Sequence, residues 1–267
     1  MVTSALIRLG VGSAGVVAVV ERNFAVFRRA RFLVLLSGVA EPILYLLSIG
    51  VGVGALIGDI RLADGRAVPY VAFVAPAMLA SAAMSGAVAE TVFNFFARMR
   101  YQRLYDAVLS TPVRPWEIAL GELGWATIRG ALYCAVFLAL MVGMGLASWG
   151  AAALALPATL LVGVVFGAMG MAASTFLRSW QDFDLVITVQ MAFFLFSATF
   201  VPVERFPTGL RWLVELSPLT QGVRLLRGIL VGGESGWSMA LAASALVAFA
   251  VVCFAVAARR IRRLLCP

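Results

Sequence analysis

The chain has 267 residues, 63% of them apolar and only 13% charged, with a net charge of +8. A soluble domain is nearer half apolar and a quarter charged, so these figures exclude one, and uncharged runs longer than the roughly 20 residues that cross about 30 Å of hydrocarbon make this an all-α polytopic membrane protein. All 21 basic residues are arginine and there is no histidine, which excludes a P-loop with its lysine and removes the commonest general base and metal ligand.

Residues 1–31 read as a cytoplasmic N-terminus, not as a signal peptide, because arginines follow the first apolar stretch rather than precede it. Within it, 13–31 is an expected amphipathic helix with Val16, Val20, Phe24 and Phe27 on one face and Glu21, Arg22, Arg28 and Arg29 on another, a pattern suited to an anionic inner leaflet. Six spans follow over residues 32–258, at about 32–57, 69–97, 118–147, 151–177, 184–201 and 239–258. A basic tail, 259–267, closes the chain. With the N-terminus inside, fourteen arginines fall on the inner side and six on the outer, so both termini are expected in the cytoplasm.

Between spans two and three stands RMRYQRLYDAVLSTPVRPWEIALGE, residues 98–122. Tyr101, Leu104, Tyr105, Val108 and Leu109 share one helical face, and Arg100, Gln102, Arg103, Asp106 and Ser110 take the other. Thr111 before Pro112 ends that helix, while Pro115 and Glu117 suit the first turn of the next. Two readings of this segment stay open from the residues alone, a solvated loop and a docking helix that passes force from a soluble partner into spans two and three.

Four ionisable residues, Glu41 (before Pro42), Glu90, Glu122 and Arg129, lie within apolar segments. Such groups face a cavity or a partner, so they are candidates for a polar cluster at a gate or for plain hydrogen bonding between helices. Glu122 and Arg129 are two turns apart, too far for a direct pair. In the fifth span, MAFFLFSATFVP, the phenylalanines face lipid or an apolar cargo. Beyond it Phe206, Leu210, Leu213 and Val214 form one apolar face and Leu219, Val223, Leu226 and Leu230 another, divided at Ser217-Pro218. Two short helices at about 203–231 result, lying on the outer surface or dipping into it. Cys134, Cys253 and Cys266 show no metal spacing and read as small buried apolar residues. No catalytic or metal-ligating residue is expected.

The stretches EPILYLLSIGVGVGALIG (41–58), residues 69–123 with their LSTPVRPWEIALGE block, and FLFSATFVPVERFPTGLRWLVELSPLTQGVRLLRGILVG (194–232) resemble permease subunits of ABC-2 type exporters, in particular the nodulation-J, lipo-oligosaccharide and daunorubicin-resistance permeases. The resemblance implies a type V exporter fold in the bacterial cytoplasmic membrane. It further implies a second permease copy or paralogue, two separate ABC ATP-binding subunits that hold the ATP and Mg, and lipid contact, with no nucleic-acid partner and no cofactor in this chain. It makes 13–31 a connecting helix and 100–111 a coupling helix, with Arg100, Gln102, Arg103, Asp106, Ala107, Ser110, Thr111 and Pro112 toward the ATPase. It makes 203–231, with Phe206, Leu210, Leu213 and Pro218, an external re-entrant hairpin. The implied cargo is hydrophobic or amphipathic: a drug, lipid, glycolipid or lipid-linked saccharide. Two readings compete. An ion-gradient-driven carrier would want midplane charges in both halves, and Glu41-Pro42 has no counterpart. A lipid-modifying enzyme would want clustered carboxylates or histidines.

Overall fold

The computed structural model describes residues 14–61, 65–200, 203 and 206–265, with side chains described from residue 15 onward except at 29–39, 41, 42, 45, 49–51 and 265. Helix α1 spans Ala14–Tyr45 and continues through π-helical turns at Leu46–Val53 and a last turn at Gly54–Ile57. A two-stranded antiparallel hairpin follows, β1 (Asp59–Arg61) against β2 (Ala67–Pro69), with Ile60 opposite Val68. Helix α2 begins at Tyr70, and the helical path, widened by π turns at Ala89–Asn94 and Ala97–Tyr101, runs to Tyr101. The short α3 (Leu104–Leu109) leads to α4 (Pro115–Gly143) and α5 (Trp149–Ser174). Then come α6 (Phe183–Leu195), α7 (Thr208–Leu216), α8 (Pro218–Leu230) and α9 (Gly236–Leu265).

Among the described residues four helices are long and apolar enough to cross a membrane: Tyr70–Tyr101, α4, α5 and α9. α5 is the hub of the bundle, packed on α2, α4, α8 and α9, and α2 is the most enclosed of the four. Close approach is set by glycine. A Cβ on Gly167 would stand 2.7 Å from Leu123 Cδ1, and one on Gly170 would stand 2.5 Å from Thr91 Oγ1. These two glycines therefore let α5 sit against α4 and α2, the small-residue packing that membrane helices use.

Local chemistry explains the ends. Ser110 Oγ donates to Ala107 O (2.7 Å) and Thr111 Oγ1 to Val108 O (2.5 Å), so two hydroxyls serve carbonyls that the end of α3 leaves open. Pro115 opens α4, and Arg114 N donates to Glu117 Oε2 over 2.7 Å, the acidic first turn that a helix N-terminus favours. Ser148 Oγ accepts from Ala151 N at the start of α5.

Three boundaries differ from the sequence expectation. The expected interface helix and first span form one helix, because no glycine or proline interrupts residues 16–37. Its packed face is wider than expected: Gly15, Val19 and Asn23 are buried against α4, and of the expected face the half-exposed Phe24 and the half-buried Phe27 meet the Trp125 ring of α4 edge-on, 6.4 and 5.6 Å between centroids. The helix expected over 100–111 is only Leu104–Leu109, since Arg103 adopts φ 46° and breaks the path from Tyr101. The helix of the expected fifth span stops at Leu195; Ala198 has φ 55°, and the hydroxyls of Ser197 (2.9 Å) and Thr199 (3.4 Å) turn back to Phe194 O. That is the local bonding by which Ser and Thr compete with a helix.

Candidate functional site

α3 sits at one end of the bundle with one side chain driven inward. Tyr105 is 1% exposed, its ring 5.2 Å from that of Phe95, in a cluster with Met99, Ile118, Ala119 and Leu123. On the helix Asp106 and Ala107 are exposed, and in the segments flanking it Arg100, Gln102, Arg103, Ser110, Thr111 and Pro112 are exposed too. All eight residues expected at the coupling surface are thus exposed. Tyr101 leaves the expected apolar face of this helix and stacks instead on Trp180 (5.4 Å between ring centroids, 19° between planes), which also meets Phe96 and Phe183. The break at Arg103 is the reason.

Beneath α3 lies a chain of charges. Glu122 Oε1 accepts from Arg22 Nη2 at 2.6 Å, and its Oε2 accepts from Arg98 Nη1 at 2.5 Å and Asn23 Nδ2 at 3.1 Å. The second guanidinium nitrogen of Arg98 reaches Glu90 Oε1 at 3.2 Å. Glu90 Oε2 also accepts from Arg129 Nη1 and from Asn94 Nδ2 (2.7 Å), and Arg129 Nε donates to Tyr133 Oη at 2.7 Å. The order Arg22–Glu122–Arg98–Glu90–Arg129 therefore joins α1, α4 and the extended α2. Both carboxylates are almost fully buried while the guanidiniums keep partial solvent access. A carboxylate removed from water needs this degree of pairing. Arg98 serves two carboxylates at once, one from each terminal nitrogen of its planar fork.

Three of the five expected intramembrane residues, Glu90, Glu122 and Arg129, belong to one network, with Glu122 and Arg129 linked through Arg98 and Glu90 rather than directly. The side chains of Glu41 and Pro42 lie outside the described residues. Arg22, Asn23, Asn94 and Arg98 were not among the expected site residues. A signal was available in the spacing, since Glu90, Asn94 and Arg98 recur every four residues on one helix face. Burial pushes the Tyr105 phenol well above the usual tyrosine range, and the Glu122 carboxylate pushes the same way, so the hydroxyl keeps its proton and is available as a donor.

The far end of the bundle carries the expected pair of short helices, divided at Ser217-Pro218. Leu219, Val223 and Leu226 are buried as the spacing required, as is Pro218. On α7 only Val214 is buried; Phe206 is half-buried and Leu210 and Leu213 are exposed. A Cβ on Gly222 would stand 2.7 Å from Val162 Cγ2, and Val162 lies halfway along α5, about 20 Å from its start at 1.5 Å per residue. α8 returns from that depth to the end of the bundle, where Arg227 donates to Phe73 O (3.3 Å) and Ala198 O (3.2 Å) with its guanidinium 3.8 Å from the Phe73 ring centroid.

The family model for the ABC-2 type transporter matches residues 15–231. The chain is 32% identical to nodulation protein J of Rhizobium meliloti (strain 1021), with 94% of each chain covered. It is 34% identical to nodulation protein J of Sinorhizobium fredii (strain NBRC 101917 / NGR234), with 89% of each covered. It is 26% identical to the inner membrane transport permease YadH of Escherichia coli (strain K12), over 62% of this chain and 64% of that one. By the extent of these matches, the chain belongs to the ABC-2 type transporter family and is a membrane component of a transport system.

Proposed function

We propose that the chain is the membrane-spanning permease of an ATP-driven exporter, working with two separate ABC ATPase subunits and a second permease copy or close paralogue. The observation that carries this reading is α3, anchored inward by one buried aromatic, with Asp106 and Ala107 exposed on the helix and Arg100, Gln102, Arg103, Ser110, Thr111 and Pro112 exposed in the segments flanking it. A groove on the ATPase receives that face, and ATP with Mg is bound and hydrolysed there, not in this chain. In this reading 32–57 and α6 with 196–201 complete six spans of a type V fold, both termini face the cytoplasm of a bacterium, and the membrane is the cytoplasmic one. The depth of Gly222 against Val162 supports a re-entrant outer hairpin over a surface one. The cargo is hydrophobic or amphipathic and leaves outward. A carrier driven by a proton gradient fits less well, because Glu90 and Glu122 are each held by two arginines.

The test uses the full chain reconstituted with its ATPase in liposomes. Arg103→Glu with Asp106→Arg, or Ala107→Pro, which costs a helix interior about 3 kcal/mol, is expected to abolish permease-dependent stimulation of ATP hydrolysis while the chain still inserts. Stimulation at the unaltered level would overturn the reading.

A further inference from the structure

One face of α8 carries polar groups that the packing leaves unpaired. Ser217, at its N-cap, Thr220 and Arg224 stand at i, i+3 and i+7 of that face. Gly222, which meets Val162 of α5, is about 200° round the helix from Arg224, so Arg224 leaves α8 on the side away from α5. Arg224 is half-buried, and among the described residues it makes no hydrogen bond or ion pair. Ser217 and Thr220 are buried, and neither hydroxyl has a hydrogen-bond partner. Arg227, one turn on, differs, because Phe73 O and Ala198 O take up its guanidinium. Depth makes the contrast costly. Arg224 lies about 3 Å along the axis from Gly222 at 1.5 Å per residue, and so stands near the level of the middle of α5. A charged side chain at that depth faces a cavity or a partner, and a buried hydroxyl without a partner calls for a physical reason.

We propose that Ser217, Thr220 and Arg224 receive the anionic head of the cargo, a phosphate, sulfate or carboxylate group carried on an amphiphile. The proposal rests on the export reading and the re-entrant hairpin above, and it names the class of cargo. A planar guanidinium matches two oxygens of such a group, and the two hydroxyls add one donor each. An uncharged cargo would leave the Arg224 charge unpaired at this depth. Helices α7 and α8 hold three arginines, Arg211, Arg224 and Arg227, against one carboxylate, the exposed Glu215, a balance that favours a negative ligand.

The experiment compares binding of hexadecyl phosphate and of hexadecanol, the same chain without the anion, to the full complex in phosphatidylcholine nanodiscs without nucleotide. Bound amphiphile is counted by native mass spectrometry. In the parent, hexadecyl phosphate is expected to bind about tenfold tighter, the factor that a hydrogen bond to a charged group is worth. Arg224→Gln is expected to abolish that preference, whereas Arg61→Gln, at an exposed arginine of β1, is expected to leave it intact. Thr220→Val is expected to lower it about threefold without lowering the Tm of the anion-free complex, because the hydroxyl has no partner to lose. An intact preference in Arg224→Gln, or a lowered Tm in Thr220→Val, would overturn the proposal. So would displacement of hexadecyl phosphate by an equal concentration of inorganic phosphate, the mark of a free-anion site. Separation of two permease copies in Arg224→Gln would also overturn it, by assigning the arginine to an interface between them. Should Arg224→Gln not insert, Thr220→Val decides. Binding is read without ATP turnover, so it is separable from the coupling test. If Ala107→Pro abolishes stimulation and no anion preference is found, this proposal falls alone; if Ala107→Pro has no effect, the export reading falls, and with it the anion's role as cargo.

Discussion

Arg98 Nη1 donates to Glu122 Oε2 across 2.5 Å, which ties the last turns of the helix entering α3 to the second turn of the helix leaving it. The short helix is thus suspended between two segments locked to each other by an ion pair. A force on its exposed face reaches α2 and α4 together, and through Arg22 it reaches α1.

Glu122→Leu leaves Arg22 and Arg98 without this carboxylate. Breaking a buried pair costs about 3–5 kcal/mol, and the partial solvent access of both guanidiniums puts the expected loss nearer 2–3 kcal/mol. Adding Arg98→Met is expected to restore part of it, since apolar packing can replace an ion pair once both charges are gone. Thermal unfolding in detergent reads both effects.

At the other end, Arg227 holds the first turn of α2 and the turn after α6 at once. Arg227→Ala is expected to cost about 1–3 kcal/mol by leaving the Ala198 carbonyl without this donor in a region that excludes water. Arg227→Lys is expected to recover little, because a point charge cannot reproduce the fork and its stacking on Phe73. Cysteine accessibility at Ala198, low in the parent, should rise in both variants.

Gly222→Val places side-chain atoms where Val162 already stands. Overpacking of about 1–3 kcal/mol is expected, with displacement of α8. Val162→Ala in the same chain makes room and should restore stability; a second substitution without effect would mean that α8 does not rest on the middle of α5.

Asp182 Oδ2 accepts from the amides of Arg178 (2.6 Å) and Ser179 (3.1 Å). These two bonds hold its carboxyl below the usual range. A depressed carboxyl stabilises its turn above the unfolded value of about 3.9 and loses that contribution as pH falls through the lower folded value. The protection of the Ser179 amide, its exchange rate relative to that of an unstructured amide at the same pH, should therefore hold at neutral pH and fall only in strong acid. In Asp182→Asn this protection should no longer change with pH.

Much of this was legible in the sequence, for physical reasons that also explain the misses. The α7–α8 hairpin was readable because Leu219, Val223 and Leu226 repeat with the helical period and Ser217-Pro218 divides it. The exposed face of α3 was readable because its polar residues alternate with Tyr105 and its neighbours. Left-handed φ at Arg103 and Ala198 was not readable, since neither residue type favours it; tertiary packing imposes it. The network was half visible. Glu90, Glu122 and Arg129 stood out as charges within apolar runs, whereas Arg22 and Arg98 were counted as markers of the inner face. Whether an arginine near a helix end meets water or a carboxylate 24 or 100 residues away in the chain depends on which helices pack together.

The central claim, that the exposed face of α3 seats in the ATPase, is tested most directly by photocrosslinking. A photoreactive residue placed at Ala107 or at Ser110, and as a control at Trp237, which is 74% exposed at the opposite end, is illuminated in membranes that contain both subunits. The account predicts crosslinks to the ATPase from 107 and 110 and none from 237. Crosslinks absent at 107 and 110 in a complex that still co-purifies would contradict it.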